Sequence, residues 1–271
     1  MQQNKKFIAP GGWFSLTYPT SWYEFEDVED SFLFYNPDEW TGNFRISAFK
    51  GNKGYGDECV EMELQNSVDV HKVKIGPWHC AASMEIIEEN GELYQMYVWV
   101  LGADDLAIEC SFTVPQGAST AEAEAIIASI EVRKEGVKYP AELIPARVSE
   151  IYLIDRAYEW MNYTVREEFK VDFHGAEEDI VYMQKMVDSG YIPLKKKELW
   201  LNVGIVLCAI LTNEVEGWEW KTLVDGNREA PVLQHRVSGK CVDPMKLVWS
   251  KVKAGEPVIL DEAYQSALDL C

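Results

Sequence analysis

The spacing of apolar residues changes once along this chain, from a period of two to one between three and four, and that change fixes its fold class. In the first half, apolar residues alternate in short runs over residues 13–18, 31–35, 43–49, 78–87, 93–101 and 106–114. Strict alternation puts one face of each run inward, the signature of half-buried strands. Asn90-Gly91 and Gly102-Ala103-Asp104 separate the last three runs and read as hairpin turns, so these runs form an antiparallel meander. Two helices fit around the strands. Asp57 can open one with Val60 and Leu64 on one face, and Ser119-Thr120-Ala121-Glu122 reads as a capping box that turns Ala123, Ile126, Ile127 and Ile130 inward.

Residues 136–145 carry two prolines and no periodicity, as a linker does. Beyond them Ile151, Ile154, Tyr158, Met161 and Val165 recur at alternating steps of three and four, the buried stripe of a helix. A second helix is expected over 176–187, ended by Gly190. A third, apolar on nearly all sides over 199–211, should be the central helix of its domain. Residues 218–224 and 232–237 around Asp225-Gly226 suggest a small hairpin, and short helices over 244–252 and 261–270 follow. The expectation is an α+β protein: an antiparallel sheet domain over 1–138, flanked by helices, and a mainly helical α+β domain over 146–271.

Charge narrows the partners. The 45 acids against 25 bases leave −20 over 271 residues, which repels phosphate backbones and anionic head groups and disfavours nucleic acid and membrane. A basic protein is attracted instead. The excess is heavier in the first half, with 10 bases and 23 acids before residue 139 and 15 and 22 from there on. The apolar run over 199–211 has 13 residues, interrupted by Asn202 and Gly204, short of the ~20 a spanning helix needs. The opening residues, running into Pro10-Gly11-Gly12, do not read as a secretory signal, and the six cysteines contain no CxxC pair. A reduced, cytoplasmic protein is expected.

Gly12-Trp13-Phe14-Ser15-Leu16-Thr17-Tyr18-Pro19-Thr20-Ser21-Trp22, a phenylalanine-rich strand, and a closing Ile126-Ile127-Ala128-Ser129-Ile130 resemble the PsbP-like and Ran-binding Mog-like superfamily. The resemblance covers about half the chain and implies an antiparallel sheet with helices on its faces. Members mostly bind other proteins or assist assembly, and no catalytic set comes with the fold. In the opening motif the strand should end at the Tyr-Pro turn and Trp22 should pack back over the sheet edge. The second half, with Val203-Gly204-Ile205-Val206, Trp218-Glu219-Trp220 and Asp225-Gly226, is similar to a bacterial domain family of unknown function.

Candidate chemistry is sparse. No histidine stands at metal-ligand spacing with another histidine or a cysteine. His79 and Cys80, neighbours in a strand, point to opposite faces, and His235 could meet Cys241 only across a hairpin. His174, Glu177, Glu178 and Asp179 gather an imidazole and three carboxylates within a turn, a candidate metal set. The alternative, preferred, is that these acids stabilise the positive end of a helix. Glu24, Glu26, Asp27, Glu29 and Asp30 place five acids in seven positions, either steering a basic partner or charging a strand edge against unwanted pairing. Gly51-Asn52-Lys53-Gly54-Tyr55-Gly56 lacks the GKS or GKT ending of a phosphate loop and reads as a mobile loop. Trp218 and Trp220 share one strand face, presented to a partner or buried on the long helix.

No catalytic residue and no cofactor is predicted. The leading expectation is a protein-binding or accessory protein, one bacterial version being an immunity-type protein that masks a basic toxin. The alternatives are a metal-assisted hydrolase built near His174 and a small-molecule sensor with its ligand between the domains.

Overall fold

The computed structural model describes residues 4–28, 30–66, 68–134, 136–226 and 228–270. The chain forms two compact units, Met1–Lys138 and Tyr139–Cys271. The first contains β1 (Asn4–Ile8), β2 (Phe14–Pro19), β3 (Tyr23–Val28), β4 (Ser31–Tyr35), β5 (Asn43–Lys50), α1 (Tyr55–Asn66), β6 (His71–Ile75), β7 (Trp78–Glu89), β8 (Glu92–Ala103), β9 (Leu106–Pro115), α2 (Ala121–Ala128) and β10 (Glu131–Val132). Seven of the strands form one antiparallel sheet in the order β3-β4-β5-β9-β8-β7-β6, and three form another, β1-β2-β10.

Alternation in the sequence becomes register in the sheet. Phe44, Ile46 and Ala48 of β5 stand opposite Phe112, Cys110 and Ile108 of β9, which stand opposite Tyr97, Trp99 and Leu101 of β8. These rows share one core with Phe7, Phe14, Leu16 and Tyr18 of the smaller sheet and with Ala123, Ile126 and Ile127 of α2. Asn90 and Gly91 both take positive φ, 53° and 83°, as a two-residue hairpin turn demands. The resemblance motif has a physical basis in this unit: Thr17 donates its backbone N–H to Ser129 Oγ at 2.9 Å, joining β2 to the end of α2. Trp22 does not cover an edge. It is 1% exposed and stacks on Phe112 of β9, with centroids 6.2 Å apart at 21°.

Three local expectations change. Gly51 and Gly56 belong to a segment docked on the β8–β9 turn, donating to the carbonyls of Asp105 (2.8 Å) and Asp104 (2.9 Å). A Cβ on Gly56 would lie 2.2 Å from the Leu106 carbonyl oxygen, so glycine is required by close backbone approach. The capping box of α2 does not form, because Thr120 donates to Glu124 at 2.7 Å and Glu122 accepts from Thr41 at 3.1 Å. β1, β3 and β6 were hidden by their polar content, as edge strands often are.

The second unit contains β11 (Glu142–Pro145), α3 (Val148–Phe169), α4 (Ile180–Asp188), α5 (Lys197–Glu214), β12 (Trp218–Asp225), β13 (Arg228–His235), β14 (Cys241–Val242), α6 (Pro244–Ala254) and α7 (Leu260–Leu268). α5 is its hub, buried at Trp200 and continuously from Val203 to Leu211, and it packs against α3, α6 and α7. Gly204 permits the α5–α6 crossing, since a Cβ there would sit 2.2 Å from the Pro244 carbonyl oxygen. The expected hairpin is the centre of a four-stranded antiparallel sheet, β11-β12-β13-β14. Its edge strand β11 occupies the expected linker, with Pro145 opposite Lys221, a position that spares the ladder a missing donor. On α3, Met161 and Val165 are buried as expected, together with Ala157 and Thr164, but Ile151 is 42% exposed. The inward position of the first turn belongs instead to Glu150.

Candidate functional site

The loop before α4 shows how the acids near His174 divide their work. Asp179, 1% exposed, accepts the backbone N–H groups of His174 (2.7 Å), Gly175 (2.8 Å) and Ala176 (3.2 Å) at its Oδ2. A carboxylate holding three amides is committed to shaping its loop. Gly175 takes φ 71°, a Cβ on it would fall 2.4 Å from the Tyr158 hydroxyl, and its carbonyl accepts from Asn213 Nδ2 at 2.9 Å. Burial, and then the charge of Asp179, pushes the Tyr158 phenol up. Among the described residues no group of three or more His, Cys, Asp or Glu side chains is placed to hold a metal ion. His174 is exposed.

Glu177 and Glu178 turn to other company. With Glu214 from the end of α5 and Asp261 from the first turn of α7 they line a cavity of about 720 Å³, completed by Ile180, Val181, Gln184 and Ile259. The Glu177 N–H donates to Glu214 Oε1 at 3.4 Å. Gln184 fixes the far wall, donating to the Val258 carbonyl (3.0 Å) and accepting the Leu260 N–H (2.7 Å). Among the described residues the lining therefore holds four carboxylates and no Lys, Arg or His, beside Val181 and Ile259, which are 49% and 42% exposed.

The other acids sit in the first unit. Glu24 faces Phe34 in register on edge strand β3 and raises the buried Tyr18 phenol, after the larger effect of burial itself. Glu26 and Asp27 lie at an irregularity in the β3–β4 pairing, Asp30 takes φ 60° in the following turn, and Glu29 lies outside the described residues. Trp218 and Trp220 share a face of β12, but Trp218 is only 6% exposed and Trp220 packs half-buried against the helical core. The Trp218 ring lies 5.1 Å from that of His235, and its Nε1 is buried without a partner among the described residues.

Among the described residues, the His79–Cys80 and His235–Cys241 pairs are not joined by a hydrogen bond. Burial pushes the Cys80 thiol up to about 11 and raises Cys110, Cys208 and Cys241, away from the thiolate that attack requires. His79 is exposed beside buried Cys80. His235 Nδ1 lies 3.0 Å from Ser238 Oγ, while Cys241 Sγ donates to the Gly239 carbonyl at 3.7 Å.

One polar assembly escaped the sequence reading. Arg147, 1% exposed, grips Glu150 through Nε (2.8 Å) and Nη2 (2.7 Å) and reaches Glu229 at 2.7 Å. Thr222 donates to Glu150 at 3.0 Å and accepts the Arg147 N–H at 3.1 Å. Burial alone would lower the guanidinium, but the hydrogen bonds and charges of Glu150 and Glu229 outweigh it and push the group up. The Arg-x-x-Glu spacing was visible; Thr222 and Glu229, from β12 and β13, were not.

The family model for the domain of unknown function DUF3805 matches residues 2–155, more than half of the chain. The chain belongs to this family. A second model, for the domain of unknown function DUF3806, matches residues 179–264. A crystal structure from Bacteroides thetaiotaomicron VPI-5482 is 59% identical, covers 99% of both chains and superposes with a TM-score of 0.96. The solution structure of cyanobacterial PsbP from Synechocystis sp. PCC 6803 is 11% identical over 49% of this chain and 94% of its own, with a TM-score of 0.28. LpqN of Mycobacterium tuberculosis, described as involved in cell envelope biogenesis, is 13% identical over 49% and 91%, with a TM-score of 0.33. Likenesses of that size establish no shared activity. No curated protein sequence matches the chain. Among the described residues no helix is long and apolar enough to cross a membrane.

Proposed function

We propose that this protein is a non-catalytic binding protein and that the carboxylate cavity of its second unit receives a basic segment of a partner protein. The observation that carries this reading is that Glu177, Glu178, Glu214 and Asp261 line one opening with no cationic residue beside them among the described residues. Like charges around one opening create a potential that concentrates cations and speeds encounter with a basic partner. Exposed Val181 and Ile259 offer apolar surface for the methylene stems of Lys or Arg. The net charge of −20 extends the attraction over the rest of the chain. The same chemistry suits an immunity-type role in which a basic toxin is the masked partner.

Zero-length carbodiimide cross-linking in the source cell, at native abundance and with site-resolved mass spectrometry, tests this. One partner's lysines should join to the four cavity carboxylates, and the Glu177→Lys/Glu178→Lys double variant should reduce those adducts about tenfold. Both positions are exposed and leave the Asp179 clamp intact. Adducts unchanged in the variant, or absent from these residues while acids elsewhere react, overturn the reading.

A further inference from the structure

A second cavity, sharing no lining residue with the first, has the opposite character. It measures about 480 Å³ and lies among the β11–β14 sheet, the start of α6 and the end of α7, within the ~300–1,000 Å³ typical of small-ligand sites. Leu143, Leu223, Val232, Leu247 and Leu270 supply its apolar walls. Its polar end is built on Asp243, whose oxygens take Arg228 Nη2 at 2.7 and 2.6 Å and whose Oδ1 also caps α6 by accepting the Met245 and Lys246 N–H groups. Arg228 thus neutralises Asp243, the one carboxylate in the lining among the described residues. Lys246 Nζ, 3.9 Å from Asp243 Oδ2 and on a side chain 76% exposed, adds a second cation at the same end. Arg228, Lys246 and Asp243 together carry a formal sum of one positive charge, in a chain of −20.

We propose that this cavity binds a free alkyl carboxylate, its chain against the leucine walls and its anionic head on Lys246. An apolar groove with one charged pole selects an amphiphile of the opposite charge, because the chain leaves water while the head keeps a partner. Cys241, which also lines the cavity, reports occupancy: a bound chain should shield it from alkylation.

The test is titration of the full-length protein with decanoate and with decanol, each below its self-association limit, with Cys241 alkylation followed by peptide mass spectrometry. Decanoate should bind and protect Cys241, and each methylene added between octanoate and dodecanoate should tighten binding about fourfold. Lys246→Glu should weaken decanoate about tenfold and leave decanol unchanged. Leu143→Glu, on an edge strand and at a side chain already 39% exposed, should abolish binding of both while the circular dichroism stays native. Anionic lipid vesicles, which keep their chains in the bilayer, should not compete. Failure of decanoate to bind the folded protein, equal binding of decanol with no response to Lys246→Glu, an unprotected Cys241, or competition by vesicles would each overturn the assignment.

Discussion

The two units bury different things. In the first, the buried polar side chains among the described residues are Ser15 and Ser31, and the interior is filled by aromatic and aliphatic rows in β-register. In the second, Arg147, Glu150 and Asp179 are buried with Thr164 and Thr222 in a unit whose helical core mixes aliphatic residues with Phe173, Trp200, Trp218 and Tyr264. Packing alone is tolerant of conditions, whereas a buried ion network holds only while every member is present, because each charge left behind is stranded without water. The first unit is thus specified by shape, and the second by shape and by charge.

Substitutions at the centre of each kind of core sharpen this contrast. The largest effect is expected from Phe112→Ala, which removes the ring stacked on Trp22 at 0% exposure and should cost about 4 kcal/mol. Scanning calorimetry and hydrogen exchange should place that loss in the first unit. Glu150→Ala should cost about 3 kcal/mol by removing the carboxylate that Arg147 grips twice in the interior, and the same methods should place the loss in the second. Equal losses in both units from either change would break the comparison. The smallest effect concerns acid. Burial pulls Glu219 upward, but Lys221, at 2.5 Å, and Arg236 outweigh it and hold its carboxyl below the ordinary range. A lowered folded value means that the contribution is complete above the unfolded carboxylate pKa and is lost as pH falls through the lowered one. Glu219→Gln should flatten the acid limb of the second unit's melting temperature, read between pH 5 and 2, and leave the first unit's limb unchanged.

Much of the fold could be read from the sequence because its strongest signals are local. The Asn90-Gly91 turn and the flanking alternation define β7 and β8, and the unbroken apolar run around Ile205 defines α5. Short edge strands such as β6, with Lys72 and Lys74 exposed, bury too little to imprint a period. The candidate site was half legible. Glu177 and Glu178 were singled out with Asp179, yet they combine with Glu214 and Asp261 from distant helices, while Asp179 turns away to hold its own loop. Spacing along a chain records which acids are neighbours, but not which backbone amides claim them first. Trp218 and Trp220 mark the same limit, since one strand face served equally for presentation or burial.

The early position of β11 has a consequence during synthesis. Arg147 lies 75 residues before Thr222 and 82 before Glu229, so at ~5–20 residues per second the arginine leaves the ribosome roughly 4 to 16 seconds before those two residues follow. The first unit can close while translation continues. The second must wait, with a lone edge strand and an Arg147–Glu150 pair not yet covered by Thr222 and Glu229, until β12 and β13 are made, and this interval is where a chaperone or a pause in translation would have most to offer.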